Sequence, residues 1–393
     1  MPDPVTEIIL STSRTLGLVA LAAGENHTRA TQVLEDAGFT RQTSGAYAVS
    51  LDDAQAARRS ASALAAHATE HGIALITSTR PYLGDIGTEI TDRLPGTWTA
   101  QLHVYANPLW QEDLWWPLWE AGEIHRALQD HRIPFASVLE DGKGTELLLI
   151  ERPGHPTGYL IGALTEDEKE DVLKDPTTPK TMVLPAEPDR AATAIVNTFL
   201  PALRHAMHLR DLNSVLFALD RIRTGHDRLQ SIKSTGLYAT GVPLSSRLIG
   251  SMERAFADDA WIWFRTVLEH GPQLLAHCQP ATTDWPDDTA ALVRLRAALA
   301  DTSAARQEEI TLNDNLHALP RLLRSHEHHH VRADYGMAAL PAIRMWLADT
   351  AVFERQVRAA QPAGTNTLSA SSRRAPDARP ALPPASPAPA VRR

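Results

Sequence analysis

The chain has 393 residues, with 38 Lys plus Arg against 47 Asp plus Glu and a net charge of -9. Hydrophobic residues make up 43% and charged residues 22%, a globular balance at a length that suggests about two or three domains plus a tail. An acidic body repels phosphate backbones, so nucleic-acid binding by the folded part is not expected. The lone cysteine, Cys278, rules out an internal disulfide and a multi-cysteine zinc site within one chain.

No stretch approaches the ~18 apolar residues of a membrane span, so no membrane insertion is expected. Leu16 to Ala23 is apolar, and Ala20, Leu21 and Ala22 fit a signal-peptidase pattern. Asp3 and Glu7 precede it against a single Arg14, so the cationic leader of a signal peptide is missing and a core strand is the better reading. A cytoplasmic location is expected.

Along the chain, 8–10 and 18–21 read as strand pieces, and 26–37 as a helix stopped by Gly38. Residues 39–49 read as a hairpin turning at Ser44 and Gly45, and 52–71 as an Ala-rich helix capped by Asp52 or Asp53. A strand at 73–77, a helix at 84–94 and a strand at 97–105 follow. Residues 106–131 are Trp-rich and read as largely helical. Strands at 135–139, 146–150, 159–163 and 182–184 then alternate with Gly- and Pro-rich turns, as in an antiparallel meander. From Pro188 the period becomes helical. Ile195, Phe199, Leu203 and Met207 form one stripe, and Leu212, Val215, Leu219, Ile222 and Leu229 a second. Ile249, Met252, Phe256, Trp263 and Val267 form a third, closed by Gly271 and Pro272. Leu292, Leu295 and Leu299 form a fourth, and Leu312, Leu316, Leu319 and Leu323 a fifth. Amphipathic helices in series bury their stripes against one another, so a bundle is expected.

The expected fold class is therefore α+β. Residues 1–105 form a mixed α/β sheet domain, and 106–187 a Trp-rich helix with a small antiparallel meander. Residues 188–360 form a helical bundle, and 361–393 a disordered Pro/Ala/Arg tail. The tail holds seven of the 27 prolines and five arginines against one aspartate. Its expected role is solubilising, or a weak contact with nucleic acid at most.

Few motifs carry chemistry. His67, Glu70 and His71 spell H-x-x-E-H, which on a helix places two imidazoles one turn apart for zinc. Gly72 follows at once, so a surface helix end is the favoured reading. His326, Glu327 and His330 are a candidate metal set, at i, i+4 and i, i+3 spacings within a His-rich run. No second ligand element accompanies them, so a solvated helix face is favoured and no cofactor is expected. The sequence GKGT at 142–145 resembles the end of a phosphate loop but joins two strands and lacks the upstream glycine. Cys278 has no nucleophile signature and reads as a buried thiol.

Five of the nine tryptophans fall within 98–119. Trp110, Trp115, Trp116 and Trp119, with Glu120, Glu123 and His125, are the candidate ligand or partner surface. A Trp-walled groove with a carboxylate rim suits a cationic or sugar-like ligand. The competing reading has the same tryptophans plugging the joint between sheet and meander.

Several stretches resemble a group of uncharacterised actinobacterial proteins over about the first 300 residues. They are GAYAVS at 45–50, TSTRPYLGD at 77–85, LWEAG at 118–122, IERPGHPTGYLIG at 150–162 and VLP at 183–185. The resemblance implies a bacterial cytoplasmic origin and no activity or catalytic residue.

No complete catalytic set is present. The expected function is a non-catalytic binding or regulatory protein that docks a protein partner through its helical half. The alternative is a metal-assisted hydrolase, which requires His125, His155 and nearby carboxylates to converge.

Overall fold

The computed structural model describes residues 6–119, 122–165, 178–237, 241, 243–278, 285–316 and 321–360, with backbone alone at 286, 313–316 and 321–331. The tail at 361–393 lies outside the described residues.

The chain opens with a hairpin of β1 (Glu7–Ser13) and β2 (Gly17–Ala23). Gly17 sits at φ +85°, and a Cβ there would meet the Val49 carbonyl oxygen at 2.5 Å, so both backbone and space demand glycine. Next come α1 (His27–Asp36), β3 (Thr40–Arg41), β4 (Tyr47–Val49), α2 (Ala54–Glu70) and β5 (Ala74–Pro81). Asp53 caps α2 by accepting from the amides of Gln55 and Ala56. The sheet order is β3-β4-β2-β1-β5, antiparallel except for the parallel β1–β5 pair. Alternation sends Ile8, Ala20 and Ala22 to the α1–α2 side, where Val33, Leu34 and Leu64 cover them. It sends Val19 and Leu21 to the opposite side.

That opposite side meets α3 (Leu83–Thr91) and a second sheet, which form one continuous core through Leu83, Ile86, Leu102, Leu139 and Leu149. The second sheet runs β10-β9-β8-β7-β6 and is antiparallel throughout. Its strands are β6 (Thr99–Val104), β7 (Phe135–Glu140), β8 (Glu146–Glu151), β9 (Tyr159–Ala163) and β10 (Met182–Leu184). Leu147 and Leu149 face the shared core, and Leu148 and Ile150 face a smaller cluster. That cluster is roofed by α4 (Glu112–Trp115) and α5 (Glu123–Asp130). The strand at 97–105 therefore belongs to the second sheet, and the division between sheets falls before Thr99 instead of at residue 105. Periodicity identifies a strand but not its partner. The Trp-rich stretch is less helical than expected: a 3₁₀ turn (Pro108–Gln111) and the single turn of α4 precede the bend at Pro117.

The helical half begins with α6 (Pro188–Ala194), a π turn (Ile195–Phe199) and α7 (Leu200–Thr235) in unbroken succession. Pro201 has no amide to give the Asn197 carbonyl, and the wider turn falls where that bond is lost. Ile195, Phe199 and Leu203 are buried as expected, but Met207 is 40% exposed. A four-residue step advances about 400° on a 3.6-residue helix, so the stripe drifts off the core face within three steps.

The bundle is completed by α8 (Ser246–His277), α9 (Thr289–Leu316) and α10 (Arg321–Ala359). Helix α8 does not stop at Gly271 and Pro272 but runs on to His277, with Pro272 inside it. The helix is held there by packing: a Cβ on Gly271 would already touch Leu299 and Trp346 at 3.4 Å. Its core face carries Trp261, Phe264, Val267 and Leu274, while Trp263 is only half-buried. Sequential helices run antiparallel. Helix α10 packs closely along α8, with Gly336 against the Ala257 carbonyl. No helix among the described residues is long and apolar enough to cross a membrane.

Candidate functional site

A groove of about 660 Å³ lies between the last turns of α7 and the first half of α8. Leu229, Ile232 and Leu237 line one side, and Met252, Ala255 and Phe256 the other. Arg228 and Asp259 supply one charge of each sign at its rim. Local sequence explains the shape. Helix α7 ends on Gly236 in the left-handed region at φ 64°, which turns the chain so that Leu237 stands 46% exposed beside the groove. Gly225 has no side chain, and a Cβ there would meet the Phe256 ring at 3.4 Å. Lys233 donates to Glu253 at 2.5 Å and ties the two helices together beside the groove. Ser245 caps α8 by accepting from the Leu248 amide.

The Trp-rich segment divides. Trp119 is 2% exposed and belongs to the main core, with the Arg210 guanidinium 4.9 Å from its ring centroid. It links the meander to α7. Trp110 and Trp116 are 45% and 61% exposed. Trp110 meets the His27 ring edge-on at 5.0 Å, and half-buried Trp115 lies 5.3 Å from the ring of His125. Glu123 pairs with Arg152 at 2.8 Å, so its carboxylate is engaged with the meander. Glu120 lies outside the described residues. The segment thus supplies one core anchor and two exposed rings, not a common Trp-walled groove of all four.

His67, Glu70 and His71 do not assemble into a metal site. His67 lies 3.8 Å from Glu70, and His71 shares a hydrogen bond with Arg29 at 2.9 Å. The side chains of His326, Glu327 and His330 lie outside the described residues, although their backbone is helical in α10. Among the described residues, no three His, Cys, Asp or Glu side chains are grouped so as to hold a metal. His155 offers its carbonyl to Arg80, while His125 sits against Trp115, so the convergence required of a hydrolase gains no support. The 142–145 turn is organised by Asp141, which accepts from the amides of Lys143 and Thr145. Burial opposes ionisation of that carboxyl, but these hydrogen bonds win and hold it below the usual carboxylate range. Cys278 is buried, donates to the Leu274 carbonyl, and has its thiol pushed up to about 11 by burial. It is a structural thiol.

Where α7, α8 and the end of α10 meet lies a histidine cluster that no sequence motif marks. His208 is buried, hydrogen-bonds the Val357 carbonyl at 3.0 Å and meets the His277 ring edge-on at 5.5 Å. Burial lowers its pKa, the Val357 bond opposes this, and His277 and His205 lower it further. One turn along α7, Asp211 lies 3.1 Å from His270 and raises that imidazole's pKa through their hydrogen bond.

No family model matches the chain, and no curated protein or solved structure matches it either.

Proposed function

We propose that the protein is a non-catalytic, cytoplasmic binding or regulatory protein whose helical half docks a partner protein in the α7–α8 groove. The observation that carries this reading is the groove's chemistry: an apolar floor of Leu229, Ile232, Met252 and Phe256, open to solvent. Such a trough between two helices suits the apolar face of a third, whose anchors recur at i, i+3 or i+4, and i+7. Arg228 and Asp259 at the rim would fix its orientation more than its affinity. Leu229, Ile232, Met252 and Phe256 all stand on helices α7 and α8.

The test compares the wild-type chain with Phe256→Asp in affinity capture from its native host. Phe256 is only half-buried, so the variant retains its circular dichroism spectrum. A partner retained by wild type and lost by Phe256→Asp supports the reading. Identical captured proteins on both would remove the groove from function.

A further inference from the structure

A helix leaves the carbonyls of its last turn without helical donors. Val357 stands in the last turn of α10, and its carbonyl takes a hydrogen bond from His208 of α7 at 3.0 Å. That bond fixes the state of the imidazole. A carbonyl only accepts, so Nε2 carries the hydrogen, and in the neutral ring Nδ1 is a bare acceptor. His208 is 6% exposed, and its Nδ1 meets no hydrogen-bond partner among the described residues. A proton added there creates a buried charge and an N–H with nothing to receive it.

The surrounding elements offer that charge little compensation. On α7, His205 lies one turn back with its own Nδ1 unpartnered, Arg204 is exposed, and Arg210 leans over Trp119. Asp211 is engaged with His270 of α8 at 3.1 Å. Also on α8, His277 meets the His208 ring edge-on at 5.5 Å, and the Cys278 thiol is turned to the Leu274 carbonyl. On α10, Glu354 is paired with Arg358, Arg355 with Asp288, and Gln356 donates to Asp288. The negative end of α10 does favour an imidazolium at this place. Burial opposes it more strongly, the Val357 bond works against burial, and His277 and His205 add to the opposition, so the ring is held below the ordinary value of 6.5.

We propose that His208 is an acid-released latch: protonation at Nδ1 draws the ring out toward water, breaks its bond to Val357 and frees the last turn of α10 from α7 while the sheets stay folded. The latch stands at the changeover between the two cores, with Ala206 packed among the sheets and Leu212 in the bundle. Its release uncovers Val357, which is otherwise fully buried. The lost hydrogen bond costs about 1 kcal/mol, whereas keeping an uncompensated charge inside costs several, so opening is the favoured response to the proton. The direction follows from linkage. The open state takes the proton first, so its population grows as pH falls below 6.5, by up to about tenfold per pH unit.

Amide hydrogen exchange of the full chain, corrected for the intrinsic rate at each pH, tests the latch. Between pH 7.5 and 5.5 the wild type is expected to lose protection at 351–360 and to keep it in β8 (Glu146–Glu151). His208→Gln retains a side-chain N–H for Val357 but cannot ionise, so its protection at 351–360 should not change with pH. His277→Gln, at an exposed ring, is a second handle that keeps the fold. It removes one opposing imidazole and should shift the opening to lower pH. Wild-type protection at 351–360 that is equal at both pH values would overturn the proposal, as would an equal loss in His208→Gln. If His208→Gln does not fold, His277→Gln decides, and an opening at the wild-type pH overturns the latch. Loss of protection in β8 together with 351–360 would also overturn it, because it would mean global acid unfolding.

Discussion

Single atoms decide several features of this protein. Gly336 is the sharpest case, since a Cβ would stand 2.0 Å from the Ala257 carbonyl oxygen, a backbone atom that cannot swing away. Gly336→Ala is expected to destabilise the chain by about 1–3 kcal/mol despite alanine's better helix propensity, as read from urea unfolding. The histidine cluster gives a pH signature. His270 is raised by Asp211, so its contribution is full below the ordinary value of 6.5 and is lost as pH rises through the folded-state value. His270→Gln should therefore lose most stability relative to wild type on the acidic side, with the gap closing in alkali. His208 works oppositely: its depressed pKa means the unfolded state takes a proton first, so its contribution is lost as pH falls below 6.5. His208→Gln should flatten the acid limb of the stability profile, and an unchanged limb would refute that assignment. Neither histidine is legible from sequence. Each owes its environment to a group far along the chain, Val357 for His208 and Asp211 for His270.

At the scale of elements, periodicity performed well wherever burial is one-sided. The stripe from Leu212 to Leu229 is buried throughout, and the meander strands fall where alternation and turn residues place them. It failed where packing overrides local preference. Helix α8 passes through Pro272 because its neighbours hold it, and the Leu268 carbonyl loses its helical donor there. Pro272 is exposed, so Pro272→Ala restores that donor without disturbing the core. It should raise stability by ~1 kcal/mol or more, seen as a higher urea midpoint at constant slope. A lower midpoint would mean that the proline ring contributes packing. Half of the groove is visible in the sequence: Leu229, Met252 and Phe256 fall on stripes that periodicity assigns to the core, and only the tertiary arrangement leaves their outer edges uncovered. The tryptophans were flagged by number alone, which cannot separate buried Trp119 from exposed Trp116.

Across the whole molecule, α7 is the common member of two cores. Leu200, Leu203 and Ala206 pack with the two sheets, and Leu212, Val215 and Leu219 with the bundle. The sheet half and helical half are thus joined by one continuous helix, not by a linker. A bundle-core truncation such as Trp346→Ala, at a fully buried ring, should cost about 3–5 kcal/mol. It should also lower the unfolding of the sheets, monitored separately by amide hydrogen exchange in β8 (Glu146–Glu151). The α7–α8 groove is the proposed working surface. Its most direct measurement is photo-cross-linking in the native host with a reactive residue in place of Ile232, beside a control at exposed Arg14 in the sheet half. One discrete cross-linked partner is expected from position 232, lost on adding Phe256→Asp and not formed from position 14. Absence of any product from position 232, or the same product from both positions, would contradict it.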